Sequence, residues 1–186
     1  MANLNAVVKD PDANSYVTLS EANTMVANML FTDDVSEWPD GTDDQRERAL
    51  IGAAQRLDTE RFLGIRTTAG QSMQWPREGV RRPDYVTNSF LDGAISDNVN
   101  PRYFDRDVVP PQIKKAQVEL AVYLHANPDG ISLSGLEDYK QITIGSLRLT
   151  SERTGEVNGY RVPPMYQRYL QGLRLGGPGN VSIQRS

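Results

Sequence analysis

The chain has 186 residues, enough for one domain plus appendages with a sizeable buried core. Its hydrophobic fraction of 38% and mean hydropathy of -0.52 are low for a self-contained enzyme. An excess of 24 acidic over 20 basic residues, with a pI near 5.1, argues against a general nucleic-acid binder, which needs a net basic footprint.

The absence of cysteine excludes disulfides and thiolate–metal sites. No apolar run is long enough to span a bilayer, and the first residues lack the basic and apolar regions of a signal peptide. The expectation is a soluble protein made in a cytoplasm, with no membrane partner.

In chain order, an extended arm with a turn at Asp10-Pro11-Asp12 leads to Thr18-Leu19-Ser20-Glu21, which has the form of a capping box. A first helix is predicted over residues 20–30, burying Ala22, Met25, Val26 and Met29. It stops at an acidic loop, 33–41. A second helix opens at Thr42 or Asp43 and carries Leu50, Ala53, Ala54, Leu57 and Phe62 on one face until Leu63-Gly64 ends it. Residues 65–109 have no sustained periodicity, and a loop of that length marks function or partner contact rather than filler.

Pro110 and Pro111 open a third helix whose buried face is Ile113, Ala116, Gln117, Leu120, Ala121 and Leu124. Beyond Asn127-Pro128-Asp129-Gly130, residues 139–144 and 147–150 alternate apolar with polar across Gly145-Ser146, as a hairpin or a bulged strand. Asn158-Gly159 is a further hairpin signal. Pro163-Pro164 opens a short helix to about residue 172, with Met165, Tyr169, Leu170 and Leu173 as apolar contacts. The pattern predicts a mainly α fold, a small bundle of three to four helices with a long loop, a β-hairpin arm and an extended tail. Residues 1–170 form the domain, with loop 65–109 and arm 138–162 inserted, and 171–186 form a flexible C-terminal tail.

Charge is uneven along the chain. Four arginines and no acid follow Glu156, so the remaining 16 basic and 24 acidic residues leave -8 on the body. A basic tail on an acidic body either docks on something negative or is solvated. Catalytic chemistry is thin. His125 is the only histidine, placed to face the carbonyls at a helix end, and a Ser-His triad or His-rich metal centre cannot readily be built. The acidic run Asp33 to Asp44 lacks the glycine and terminal glutamate of an EF-hand and reads as a solvated loop. Gly176-Gly177-Pro178-Gly179 lacks the lysine and serine or threonine of a phosphate loop. Neither an enzyme nor a cofactor is expected.

The loop from Gln71 to Val80 holds Trp75 between residues that forbid a helix, Pro76 and Gly79. Such a tryptophan plugs its own core or a neighbour. With Arg77, Arg81, Arg82 and Tyr85 nearby, it also has the elements of a stacking and phosphate-binding surface for single strands. The alternative is that the arginines frame a buried ring and meet acidic neighbours.

Four segments, in order, carry a family resemblance. They are Asn14-Ser15-Tyr16-Val17-Thr18-Leu19-Ser20-Glu21-Ala22-Asn23, Arg48-Ala49-Leu50-Ile51 through Arg56-Leu57-Asp58 with Gly64-Ile65-Arg66, Gln74-Trp75-Pro76-Arg77-Glu78-Gly79-Val80, and Val109-Pro110-Pro111-Gln112-Ile113-Lys114-Lys115-Ala116-Gln117. They span most of residues 14–124, and the chain resembles the head–tail adaptor, or connector, proteins of the tailed-phage neck. Related sequences often carry a DnaT-like single-stranded-DNA-binding label. The chain departs from the pattern by an Asp/Asn/Pro-rich insert at 81–107.

The resemblance implies a helical core with a β-hairpin arm, assembled as a homo-oligomeric ring, usually of twelve copies. That ring sits in the virion neck beneath the portal protein and extends the channel for double-stranded DNA toward tail or nozzle proteins. Under it, Asp33, Asp34, Glu37, Asp40, Asp43 and Asp44 are candidates to line the channel. Arg168, Arg174, Leu175, Val181, Ile183 and Arg185 are candidates to dock on the portal or tail. Trp75, Pro76 and Arg77 are expected to clamp the long loop to the core. A single-stranded-DNA-binding replication accessory is the alternative.

Overall fold

The structure is a computed structural model that describes residues 2–30, 32–83, 102–127, 141–144, 147–150 and 166–175. The fold is mainly α: the described residues form four α-helices, two two-stranded antiparallel pairings and two short 3-10 segments. Helix α1 spans Leu19–Ala27 and begins with the expected capping box: Thr18 Oγ1 accepts from the Glu21 N–H at 3.2 Å, and Glu21 Oε2 accepts from the Thr18 N–H at 2.9 Å. It ends three residues earlier than predicted, where Asn28 donates its side-chain amide to Thr24 O at 2.7 Å. Ala22 and Val26 are buried, Met25 and Met29 pack half-buried beside them, and Leu30 is 86% exposed.

The expected acidic loop is largely helical. Thr32 caps α2, Asp33–Glu37, and a 3-10 turn, Trp38–Asp40, follows directly. Trp38 is 2% exposed and turns the segment inward, donating its indole N–H to Asn23 Oδ1 at 2.9 Å. Composition hid this element, because a five-residue acidic helix anchored by one aromatic has no apolar periodicity.

Helix α3, Asp43–Asp58, opens with a second capping box between Thr42 and Gln45. It stops five residues short of Leu63, with Thr59 Oγ1 donating to Arg56 O at 2.7 Å. Phe62 is therefore off the helix, in an extended bridge opposite Arg174, although its side chain is buried as expected. Helix α4, Pro111–Ala126, matches its expected start. Its buried face holds Ile113, Ala116, Gln117, Leu120 and Ala121, with Leu124 half-buried and Val118 and Val122 added.

Helices α3 and α4 form the centre of the core and run back along each other. Gln117, midway along α4, donates to Leu50 O, midway along α3, at 2.9 Å, while His125 near the end of α4 meets Gly41 ahead of α3. A Cβ on Gly41 would lie 2.3 Å from His125 Cε1, so a bare backbone is required for this approach. Leu50, Leu57, Ile113 and Leu120 are essentially solvent-free. Each such aliphatic contributes roughly 1.5–3 kcal/mol.

The aperiodic stretch after α3 is stitched down by short pairings. Strand β1, Ile65–Arg66, pairs with β2, Arg77–Glu78, and the Arg81–Tyr103 bridge ties the two ends of the 84–101 excursion, which lies outside the described residues. Strands β3, Gln141–Ile144, and β4, Leu147–Thr150, form the hairpin of the two alternatives, with Ile142 opposite Leu149. The rest of the 138–162 arm, including Asn158-Gly159, lies outside the described residues.

In place of the short helix expected over 163–172 stands a 3-10 turn, Tyr166–Leu170, that buries Tyr166 and Leu170; Met165 lies outside the described residues. The next residues belong to the core rather than to a loose tail. Leu173 is fully buried, and backbone bonds run from the Leu63 N–H to Leu173 O and from the Leu175 N–H to Arg61 O, at 2.9 and 2.8 Å.

Candidate functional site

The conspicuous motif of the sequence, Gln74-Trp75-Pro76-Arg77, lies inside the protein. Trp75 is 1% exposed and sits edge-on between Phe62 and Phe104, with ring centroids at 5.6 and 6.3 Å. Its indole N–H meets no acceptor among the described residues, and the Trp75–Pro76 peptide bond is cis. Arg77 is nearly buried and donates to backbone oxygens on both sides of the loop. Nε reaches Leu63 O at 2.7 Å, Nη2 reaches Gly64 O at 2.6 Å and Phe62 O at 3.4 Å, and Nη1 reaches Gln74 O and Oε1 at 3.2 and 2.9 Å.

Five donors in a planar fork suit this task, and burial lowers the Arg77 pKa from its ordinary value. Gly64 permits the close approach: it takes a φ of 70°, and a Cβ there would lie 2.2 Å from Glu78 O. Gln71, also buried, holds the loop from within by donating to Met73 O and Pro76 O at 2.9 and 3.0 Å.

Asp58, at the end of α3, connects this loop to the N-terminal arm. It accepts from the Tyr16 hydroxyl and from the Gln74 N–H, the latter at 3.3 Å. Burial pushes the Asp58 carboxyl up to about 6, against the opposing pull of those two donors and of Arg66 and Arg77. Burial, then the Asp58 charge, raises the Tyr16 hydroxyl well above its ordinary range. The Tyr16 backbone N–H reaches Gln117 Oε1 at 2.9 Å, and Gln117 Nε2 donates to Ser15 Oγ at 2.8 Å. The Ser15-Tyr16-Val17 segment is thus fixed by buried polar groups, a role that aperiodic polar residues do not announce.

Charged groups gather at both ends of the α3–α4 pair, and ion pairs such as Arg168–Glu119 lie between them. At the end holding the start of α3 and the finish of α4, Asp33, Glu37 and Asp40 are exposed and have no basic partner among the described residues. Asp34 meets the Asn127 side-chain amide at 3.4 Å, Asp43 pairs with Arg46 at 2.6 Å, and Asp44 pairs with Arg48 at 2.8 Å. At the other end the 80–83 and 102–104 segments form an antiparallel ribbon, with the Phe104 N–H bonded to Val80 O and the Arg82 N–H to Arg102 O at 3.0 and 2.9 Å. Arg81 and Tyr103 face each other across it, both exposed, and Arg82 lies over the Phe104 ring at 5.6 Å.

Of the expected docking residues, Arg168 pairs with Glu119 at 2.9 Å and lies over Tyr169. Arg174 pairs with Glu60 at 2.8 Å, and Leu175 is 55% exposed. Val181, Ile183 and Arg185 lie outside the described residues. His125 packs edge-on against Trp38 at 5.4 Å. No group of three or more potential metal ligands stands together among the described residues, and no helix there is long and apolar enough to cross a membrane.

The family described as "Putative DnaT-like ssDNA binding protein" matches residues 5–186. The chain belongs to this family. No curated protein and no solved structure matches it.

Proposed function

We propose that the protein is a structural head–tail adaptor of a tailed bacteriophage, a non-enzymatic ring beneath the portal that extends the DNA channel and receives the tail. The observation that carries this reading is the burial of Trp75 and Arg77. Base stacking needs an exposed aromatic, and phosphate contact needs cations free to reach a backbone. Here the ring is walled in by Phe62 and Phe104, and the guanidinium is occupied by carbonyls. The motif serves to hold a long loop on a helical core. A β-hairpin arm suits contacts between subunits.

Purified virions test the proposal: the chain should be present in the particle in stoichiometric, multi-copy amount, and its absence overturns it. The docking of the C-terminal segment is tested by truncation after Leu175, which keeps the buried Leu173. That chain should fold and fail to attach; normal attachment would remove the segment from the interface.

A second reading, single-stranded-DNA binding, is favoured by the family's description and by the exposed Arg81, Arg82 and Tyr103. It requires oligonucleotide binding at low salt that weakens steeply as salt rises. Absence of binding at low salt ends it.

A further inference from the structure

We infer that copies of this chain join head to tail through opposite charges, the acidic end around Asp33, Glu37 and Asp40 of one copy docking on the arginine ribbon around Arg81 and Arg82 of the next. This rests on the adaptor reading for its setting and adds to it the two surfaces that meet.

The two patches lie at opposite ends of the core. The acidic patch precedes α3 and meets the end of α4, where His125 contacts Trp38 and Glu37 O. The ribbon lies beyond the other end of α3, where Asp58 holds Gln74 and Trp75 packs on Phe104. A 16-residue helix separates them by about 24 Å. Distinct patches at opposite ends cannot satisfy each other within one molecule. Repeated between copies they give a heterologous contact, which closes into a ring or grows as a filament.

Charge complementarity selects this occupant. Asp33, Glu37 and Asp40 have no basic partner among the described residues, and neither Arg81 nor Arg82 has an acidic one. Some nearby charges are answered locally: Asp107 meets Lys9 and lies 4.0 Å from Arg106, and Asp43 and Asp44 meet Arg46 and Arg48. Glu78 and Asp105, exposed near the ribbon, also lack a basic partner among the described residues, so the complementarity is carried by Arg81 and Arg82 themselves rather than by the net charge of that end. Tyr103, 37% exposed beside Arg81, adds an amphipathic ring of the type enriched in interface cores.

Because the chain has no cysteine, introduced ones report the contact directly. Asp40→Cys and Arg81→Cys are made singly and together in the full chain, then oxidised in concentrated protein and in assembled particles. The double variant should give a ladder of linked copies. The two single variants mixed should give only dimers, and each alone should give roughly tenfold less. A second arm reverses charge: Arg81→Glu with Arg82→Glu in one chain, and Asp33→Lys with Glu37→Lys and Asp40→Lys in another. Neither should self-associate, and mixing should restore association roughly tenfold above either alone.

Absence of the mixed disulfide from both protein and particles overturns the contact. So does strong linkage of Arg81→Cys to itself, which would mean ribbon meets ribbon. Oligonucleotide binding abolished by the arginine reversals, without cross-links, assigns the ribbon to nucleic acid instead. Particles that contain the chain, with the cross-link missing from them and from the concentrated protein, overturn this contact and leave the adaptor reading standing. Particles without the chain overturn the adaptor reading, while the solution cross-link still decides the contact.

Discussion

Arg77 and Arg81 are four residues apart and do opposite things. Arg77 is folded into the loop, its donors all directed at carbonyls of its own chain, while Arg81 stands exposed on a ribbon with no acidic partner among the described residues. The same division separates the two tryptophan-bearing segments from the carboxylates around them, since Trp75 and Trp38 are interior and Asp33 and Asp40 face water. Residue type alone does not mark a binding surface here. What marks it is whether the polar group is already satisfied. The clamp should be sensitive to substitution in stability and silent in association, and the charged ends the reverse.

The strongest test of that division is Trp75→Ala. Removing a solvent-free indole flanked by two aromatic rings should destabilise the protein by about 3–5 kcal/mol in chemical denaturation. Trp75→Phe sharpens it. The smaller ring retains edge-on contacts and deletes an N–H that has no acceptor among the described residues, so its loss should be well under that of alanine. If alanine melts like the wild type, Trp75 is not a clamp and the division between the regions fails.

Next in size is a pH effect from Asp58, which ties the clamp to Tyr16. Its pKa is about 6 in the folded protein against 3.8 as the ordinary value, so between these limits the folded state holds the proton more tightly than the unfolded one. The sign follows: stability from this group is present at low pH and is lost as pH rises from about 4 to 6. The loss is up to about 3 kcal/mol, reduced by whatever water reaches this partly exposed site. Carboxylates with lowered pKa, such as Glu21 at its cap, act in the opposite direction, so the measurement is a difference. Wild-type minus Asp58→Asn stability should fall between pH 4 and 7; a flat difference removes the buried carboxyl from the account.

Much of this organisation is legible in the sequence, and the exceptions have physical causes. The capping box at Thr18, the capped start at Thr42, the start of α4 and its buried face through Gln117 follow from local rules that tertiary contacts do not overturn. The helix at Asp33–Glu37 was hidden because its stability comes from Trp38 docking at a distance rather than from its own pattern. The overrun of α3 to Leu63 arose because Phe62 is apolar at helical spacing yet buried from an extended segment. The clamp was readable from Trp75, Pro76 and Arg77 as a choice between core and partner. The choice of the core was expected from sequence, but the partner that walls the ring in, Phe104 some 29 residues further on, was not. The arginine ribbon was unreadable for the same reason, since pairing Arg81 with Tyr103 closes a long excursion that no local signal specifies.

The smallest expected effect is the most discriminating when measured beside its neighbour. Arg77→Met should cost about 1–3 kcal/mol, because it leaves the carbonyls of Leu63 and Gly64 without their donors in a closed site. Arg77→Lys should recover little, since an ammonium cannot reproduce a fork that bridges Gly64 and Gln74. Arg81→Met removes the same charge from a position with no ion pair among the described residues, and stability should change by no more than about 0.5 kcal/mol. Both changes lower the net positive charge equally, so a difference between them measures satisfaction rather than charge. Equal losses for the two would mean that Arg81 is also built into the fold, and the ribbon would cease to be a free surface.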